Sequence, residues 1–383
     1  MSQNIKKIVA EVLNDIADIL QNGYAEEKIK IGLTTLGSEL GEEEIIKAAY
    51  LAKNKYSDFE VVLIGPSEVE GFSCIKAESE DECHKIMEKL IDEKVLKGCV
   101  TMHYNFPIGV STVGRIITPS MGKEVFIATT TGTSSSDRIE AMVKNTFYGV
   151  IAAKACGIKK PTVGILNVEG ARQVEKILIE LKNTGYDIEF CSSIRKDGGF
   201  ILRGNDILAG SADVVVTDSL TGNVLMKIFS AYTTGGDYES LGYGYGPGIG
   251  EGYKRLINII SRASGAPVIC EALRYCATCA KNEINKILED EFKKLEAVNL
   301  KYIFEKLKKV NGKSTEDVKC PNKKVVTSTI SGIDILELEN AVKMLWAKGI
   351  YAESGMGCTG PIVMVADEDL DIAMKILKEC NLI

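Results

Sequence analysis

The stretch Glu353-Ser-Gly-Met-Gly-Cys-Thr-Gly-Pro361 sets Cys358 among glycines in a short turn, where few side chains crowd its thiol. Flanking glycines let backbone N–H groups come close to an atom under attack. A cysteine that forms a thioester needs an accessible thiolate and donors for a tetrahedral oxyanion. The N–H groups of Gly357, Thr359 and Gly360 are the candidates for those donors. Residues 349–353 and 361–366 read as strands, so the cysteine falls at a tip and not in a core. Most cysteines of soluble proteins are buried and inert. The competing reading is a tight hairpin with a cysteine as filler. No base adjoins Cys358 in sequence, so any base comes from elsewhere in space.

Two other stretches suit an anion. Thr129-Thr-Thr-Gly-Thr-Ser-Ser-Ser-Asp-Arg138 stands between a strand and a helix, with seven Ser/Thr around one glycine. Small hydroxyl residues before a helix offer donors and a favourable dipole, which makes Gly132, Thr133, Ser134 and Ser135 phosphate-site candidates. The alternative is an ordinary Ser/Asp cap. The second stretch runs from Arg203 to Lys227. Here a buried strand, Val214 to Thr217, ends in Asp218, and a Thr-Gly-Asn turn opens a helix. Thr221, Gly222, Asn223 and Lys227 would face an anion there. A capped helix with a solvated lysine fits the residues equally well.

Other candidates carry less. Cys276-Ala-Thr-Cys279 has redox or metal spacing, but no second pair or histidine lies nearby, so it reads as structural. His103 stands near a pocket or in a structural role, and His84 reads as solvated on a charged helix. Cys156 and the remaining cysteines read as packing or surface. With two histidines in the chain, neither a histidine metal site nor a Ser-His-Asp triad is expected.

The elements that must position these residues alternate. Residues 28–33, 59–65, 125–128, 162–166 and 214–217 read as strands. Helices fit residues 43–53, 138–155, 171–182 and 223–231, with a first amphipathic helix over 5–20. That rhythm predicts an α/β fold with a parallel sheet over residues 1–310. The glycine- and tyrosine-rich segment 235–252 reads as a mobile or tightly folded loop close to a site. Residues 311–324 read as a linker, and 325–383 as a small βαββα, ferredoxin-like module that carries Cys358.

The bulk numbers agree with that picture. A chain of 383 residues, 45% hydrophobic and 26% charged, can bury a large core. A net charge of −7 argues against nucleic acid as the main partner. No run reaches the roughly 20 apolar residues of a membrane span. The N-terminus is not that of a signal peptide, and eleven cysteines fit a reducing cytoplasm.

The stretch from Arg203 to Lys227 resembles the phosphate acyltransferases of phospholipid synthesis, the PlsX type. Their pattern is matched at Gly204, Asp206, Asp213 to Val216, Thr221 to Val224 and Lys227, and again at Ile158 to Asn167 and Ser264 to Pro267. Nearly the whole chain resembles the smaller subunits of protein C of glycine/sarcosine/betaine reductase complexes, which carry an essential cysteine near their end. The resemblance implies an isocitrate/isopropylmalate dehydrogenase-like main domain. It implies that Cys358 holds an acetyl thioester, which inorganic phosphate splits to acetyl phosphate. Phosphate enters as a substrate, and no cofactor or metal is implied. Expected partners are a larger ketoacyl synthase-like subunit and selenoprotein A, with a homodimer also open. Two other readings are a phosphate acyltransferase acting directly on acyl carrier protein or coenzyme A thioesters, and a non-enzymatic scaffold with a regulatory module.

Overall fold

A computed structural model describes residues 28–304 and 318–383, with Leu13, Ile16 and Ala17. Within those spans Met121, Asp197, residues 334–336, Cys358, Thr359 and Asn381 lie outside the described residues, as do the side chains of residues 356, 357, 360 and 361. Nearly all of the expected first helix, and residues 311–317 of the expected linker, also lie outside them.

The chain begins as β1 (Ile29–Thr34), α1 (Glu42–Lys55), β2 (Phe59–Gly65), β3 (Ser73–Lys76), α2 (Glu80–Asp92) and β4 (Gly98–Thr101). β5 (Val110–Ile117), β6 (Glu124–Thr133), α3 (Arg138–Ala155), β7 (Thr162–Leu166) and α4 (Ala171–Asn183) follow. Then come β8 (Glu189–Phe190), β9 (Ile201–Leu202), α5 (Gly204–Ala209), β10 (Val214–Val216) and α6 (Ser219–Ala231). The body closes with β11 (Gly246–Gly250), β12 (Ile257–Ile259), α7 (Ala266–Lys281) and α8 (Ile284–Ala297).

Twelve strands form one sheet in the order β3-β2-β1-β4-β12-β11-β5-β6-β10-β7-β8, with β9 also paired to β7. The strands on each side pair in parallel. Three successive antiparallel pairings join the sides: β12 with β11, β11 with β5, and β5 with β6. The two parallel halves therefore run in opposite senses. The all-valine β10 is buried throughout, as a parallel strand covered on both faces must be. α4 buries Ala171, Val174, Ile177, Leu178 and Leu181, the stripe of a helix lying on a sheet.

The antiparallel seam holds the main departures from expectation. The glycine- and tyrosine-rich segment is not a loop throughout. Residues 246–250 form a fully buried central strand. Glycines suit it because neighbours press in: a Cβ on Gly246 would lie 1.8 Å from the Val113 carbonyl oxygen. β6 also runs five residues further than expected, so Thr129 to Thr133 are strand and not loop. α6 starts at Ser219, which puts Thr221 to Asn223 in its first turn.

Residues 325–383 form a second sheet, β13 (Ser328–Ser331), β15 (Gly360–Val365) and β14 (Ala352–Gly357) in that order, all antiparallel. α9 (Leu338–Ala347) and α10 (Leu370–Glu379) complete it, in the order βαββα. Ile330, Leu345, Ala352, Val363 and Leu377 make a core separate from that of the large sheet.

Candidate active site

α6 brings the second motif to the sheet. Its N-terminus is capped by Asp218, which accepts from the Thr221 N–H at 3.0 Å and the Thr221 hydroxyl at 2.8 Å. A carboxylate thus already occupies the helix start, where the dipole favours negative charge. Gly222 lets the helix lie against β6, since a Cβ there would sit 1.8 Å from the Thr129 carbonyl oxygen. Next to it, the Asn223 amide donates to the Thr130 carbonyl at 3.2 Å.

Lys227 follows one turn later and is not simply solvated. Its ammonium donates to Glu239 at 2.7 Å and to the Ser261 hydroxyl at 2.5 Å. The Lys227 side chain is 46% exposed and that of Glu239 only 1%. Glu239 also accepts from the Tyr245 hydroxyl at 3.2 Å and the Ser264 hydroxyl at 2.9 Å. Its backbone bonds Ala263 and Gly265. A buried carboxylate requires such partners. Burial beside Glu239 holds the Tyr245 phenol well above its ordinary value.

Lys227, Tyr245 and Ser261 line a cavity of about 420 Å³. Its walls are the chain after β4 (Met102 to Phe106), Thr131 and Gly132 at the end of β6, Asn223 and Lys227 of α6, and Tyr245 with Ile259 to Ser261. It therefore lies beside the seam, where the two halves of the sheet reverse direction. Crevices at such points are common ligand sites in open α/β sheets.

Of the phosphate-site candidates, Gly132, Asn223 and Lys227 line this cavity, whereas Thr133, Ser134, Ser135, Thr221 and Gly222 do not. Ser134 is buried and donates to Asn145 at 2.7 Å. The Ser135 hydroxyl accepts from the Asp137 N–H. The threonines before them are spent within the sheet: Thr112 and Thr130 share a hydrogen bond of 2.7 Å, and Thr130 donates to the Tyr245 carbonyl. Asp206 and Asp213 of the motif also brace the fold. Asp206 accepts from the N–H groups of Arg203 and Ile194, and Asp213 from the N–H and hydroxyl of Thr162.

Cys358 and Thr359 lie outside the described residues. For Gly357 and Gly360 the backbone is described, and they pair across β14 and β15. His103 is exposed on the cavity wall. His84 is half-buried, not solvated, and its ring lies 3.3 Å from the Thr101 hydroxyl. Burial holds it below its ordinary value. Cys276 and Cys279 are both fully buried in α7. Among the described residues no cluster could hold a metal ion, and no helix is long and apolar enough to cross a membrane.

Sequence reasoning missed Glu239, Tyr245 and Ser261, and it met Ser264 only as the start of the family-like stretch Ser264 to Pro267. The one signal was a glutamate inside the glycine- and tyrosine-rich segment. Only its burial against Lys227 marks it.

Residues 29–364 match the fatty acid synthesis protein family. The chain is 55% identical over 382 residues to the glycine/sarcosine/betaine reductase complex component C subunit alpha of Peptoclostridium acidaminophilum, covering 99% of each. It is 27% identical over 238 residues to a phosphate acyltransferase of Thermotoga petrophila, covering 53% of this chain and 68% of that one. A branched-chain phosphotransacylase structure from Enterococcus faecalis V583 superposes with a TM-score of 0.48 at 14% identity, covering 66% of this chain and 99% of that one. The chain belongs to the fatty acid synthesis protein family, and within it is a relative of the alpha subunit of reductase component C.

Proposed function

We propose that this chain is the acyltransferase subunit of component C of a glycine/sarcosine/betaine reductase complex. In this reading it forms acetyl phosphate by phosphorolysis of an acetyl thioester on Cys358. The observation that carries the reading is the setting of Lys227. Two of its three ammonium hydrogens go to Glu239 and Ser261, which leaves the third for an anion at the cavity. The Asn223 amide stands one turn away on the same helix.

Hydrogen phosphate would bind between Lys227, Asn223 and Gly132. One of its oxygens attacks the thioester carbonyl, the C–S bond breaks, and the phosphate proton passes to sulfur. The products are acetyl phosphate and the Cys358 thiol. His103, on the cavity wall, is the group that would carry the proton. The Gly357, Thr359 and Gly360 N–H groups would stabilise the oxyanion. Most of the acceleration then comes from positioning, and little from strong base catalysis. The acetyl group would arrive from selenoprotein A through a larger ketoacyl synthase-like subunit.

One observation favours a second reading, direct phosphorolysis of a carrier-bound or coenzyme A thioester. Among the described residues, every one that lines the cavity falls between Met102 and Ser261, and none belongs to residues 325–383. Incubation with radioactive acetyl phosphate separates the two. Covalent label on the protein that is lost in Cys358→Ala supports the thioester. An alanine variant that labels and turns over normally rules it out.

A further inference from the structure

The small module meets the body at α4. The Gln173 side-chain amide donates to the Glu337 carboxylate at 3.0 Å. Gln173 lies in the first turn of α4, and Glu337 stands just before α9. The other oxygen of Glu337 accepts from the Asn340 amide of α9, also at 3.0 Å. The carboxylate is thus fixed by its own helix and aimed at the body. Among the described residues, the apolar cores of body and module have no member in common. A polar contact between the two therefore bears on how the module is turned.

The small sheet shows which end of the module makes this contact. Ser331, the last residue of β13, pairs with Ile362, which also faces Gly355. β13 therefore ends beside the turn where β14 meets β15 and Gly357 pairs with Gly360. α9 agrees. Near its last turn the Trp346 indole donates to the Ala352 carbonyl at 2.9 Å, at the far end of β14. The first turn of α9, with Glu337 ahead of it, then lies at the end of the module that holds the β14–β15 turn. In the chain that turn contains Cys358.

The body offers a matching edge. β6, β10 and β7 are parallel neighbours, so they end on one edge of the large sheet. The helices that follow them, α3, α6 and α4, therefore start there. Their starts are tied together. At the head of α3, Arg138 donates through Nε to the Glu169 carbonyl at 3.1 Å, just ahead of α4. A terminal nitrogen of Arg138 lies 3.2 Å from Asp218, the cap of α6. α6 in turn lines the cavity with Asn223 and Lys227. Gln173 thus holds the turn end of the module at the edge from which the cavity helix begins.

We propose that Gln173 and Glu337 form the dock that turns the β14–β15 end of the module toward this edge, and that both are positioning residues for acetyl transfer. The inference rests on the reading that Cys358 carries the thioester. In that step the acetyl carbon passes from sulfur to a phosphate oxygen, and the phosphate proton passes to sulfur. No bond forms or breaks at Gln173 or Glu337. Their part is to hold the module near one orientation, so that thioester and phosphate meet at high effective concentration.

The test exchanges the two groups in the full-length protein. Gln173→Glu sets two carboxylates against each other, although a glutamate suits a helix start. Adding Glu337→Gln restores a hydrogen bond with donor and acceptor reversed and leaves an oxygen for Asn340. Labelling by radioactive acetyl phosphate should slow about tenfold in Gln173→Glu. In the double variant it should return to within about twofold of wild type. A merely structural loss would lower the melting temperature, which should instead stay within about 2 °C. The radius of gyration from small-angle X-ray scattering, about 21 Å for a compact chain of this length, should rise by about 1 Å or more in Gln173→Glu and return in the double variant. Labelling of Gln173→Glu at the wild-type rate, or a double variant no faster than the single one, would overturn the proposal. So would scattering that is the same in all three proteins. A wild type that takes no label overturns the thioester reading itself, and that failure shows before any variant is made.

Discussion

The ammonium of Lys227 lies 2.7 Å from the carboxylate of Glu239, with the lysine half-exposed on the cavity and the glutamate buried. The pair joins α6 to the glycine- and tyrosine-rich segment, which Glu239 in turn bonds to the turn at 261–265. It also fixes which way the ammonium points. Without Glu239 the long side chain would sample many rotamers, and holding an anion would cost that freedom.

Glu239→Gln keeps the shape and removes the charge that anchors Lys227. Phosphate KM should rise at least about tenfold, equivalent to about 1.4 kcal/mol, while the secondary structure by circular dichroism is unchanged. Steady-state kinetics in phosphate provide the check. An unchanged KM removes Lys227 from phosphate binding.

Lys227→Ala leaves the Glu239 carboxylate buried without its cation. Loss of one partner from a fully buried pair costs roughly 3–5 kcal/mol. Half-exposure of the lysine reduces that to about 1–2 kcal/mol. Urea denaturation should show a lower midpoint with an unchanged slope.

Thr221 and Asn223 are two residues apart and should respond differently. Thr221→Val loses one hydrogen bond to the Asp218 cap and should cost about 1 kcal/mol of stability, with phosphate KM within about twofold of wild type. Asn223→Ala should raise phosphate KM severalfold. Kinetics and melting of the two variants side by side decide it. An effect of Thr221→Val on KM would extend the phosphate site to the start of the helix.

Gly222→Ala drives a methyl group into the Thr129 carbonyl, with 1.8 Å between them. Overpacking of this kind costs at least about 1–3 kcal/mol, and the obstacle here is backbone. Gly204→Ala is the control. Nothing lies within 4 Å of its added carbon, and alanine in α5 should stabilise by about 0.5–1 kcal/mol. Thermal melting of both should move in opposite directions.

Glu291 is buried between α3 and α8, where it accepts from Lys154, Lys294 and Tyr186. Burial opposes its charge, but those three donors outweigh it and hold the carboxyl below its ordinary 4.5. Because the folded value is depressed, the stabilisation is complete above about pH 5 and is lost as pH falls through that depressed value. The stability difference between wild type and Glu291→Gln should be constant above pH 5 and shrink in acid. Urea titrations across that range measure it.

Much of the architecture was legible because it rests on short-range pattern. Apolar runs such as Val214 to Val216 and stripes such as Val174, Leu178 and Leu181 declare strand and helix through spacing alone. Of the cavity lining, Asn223 and Lys227 were legible because helix-start chemistry is local, whereas Gly132 was expected in a loop and lies in β6. The glycine- and tyrosine-rich segment was misread because glycine signals a loop, and only close backbone neighbours show that Gly246 to Gly250 belong to a sheet.

The sequence by itself determined the alternation of strands and helices, the small second module in outline, and the motif that puts Asn223 and Lys227 on one helix. Tertiary structure alone decided that the sheet reverses at β11 and β5, and that Glu239 and Ser261 hold Lys227. Those relationships join segments from 12 to more than 100 residues apart. Nothing in a local pattern selects such partners. They are chosen when the sheet order sets which backbones adjoin, and when buried charge must find an opposite charge or a hydrogen-bond donor.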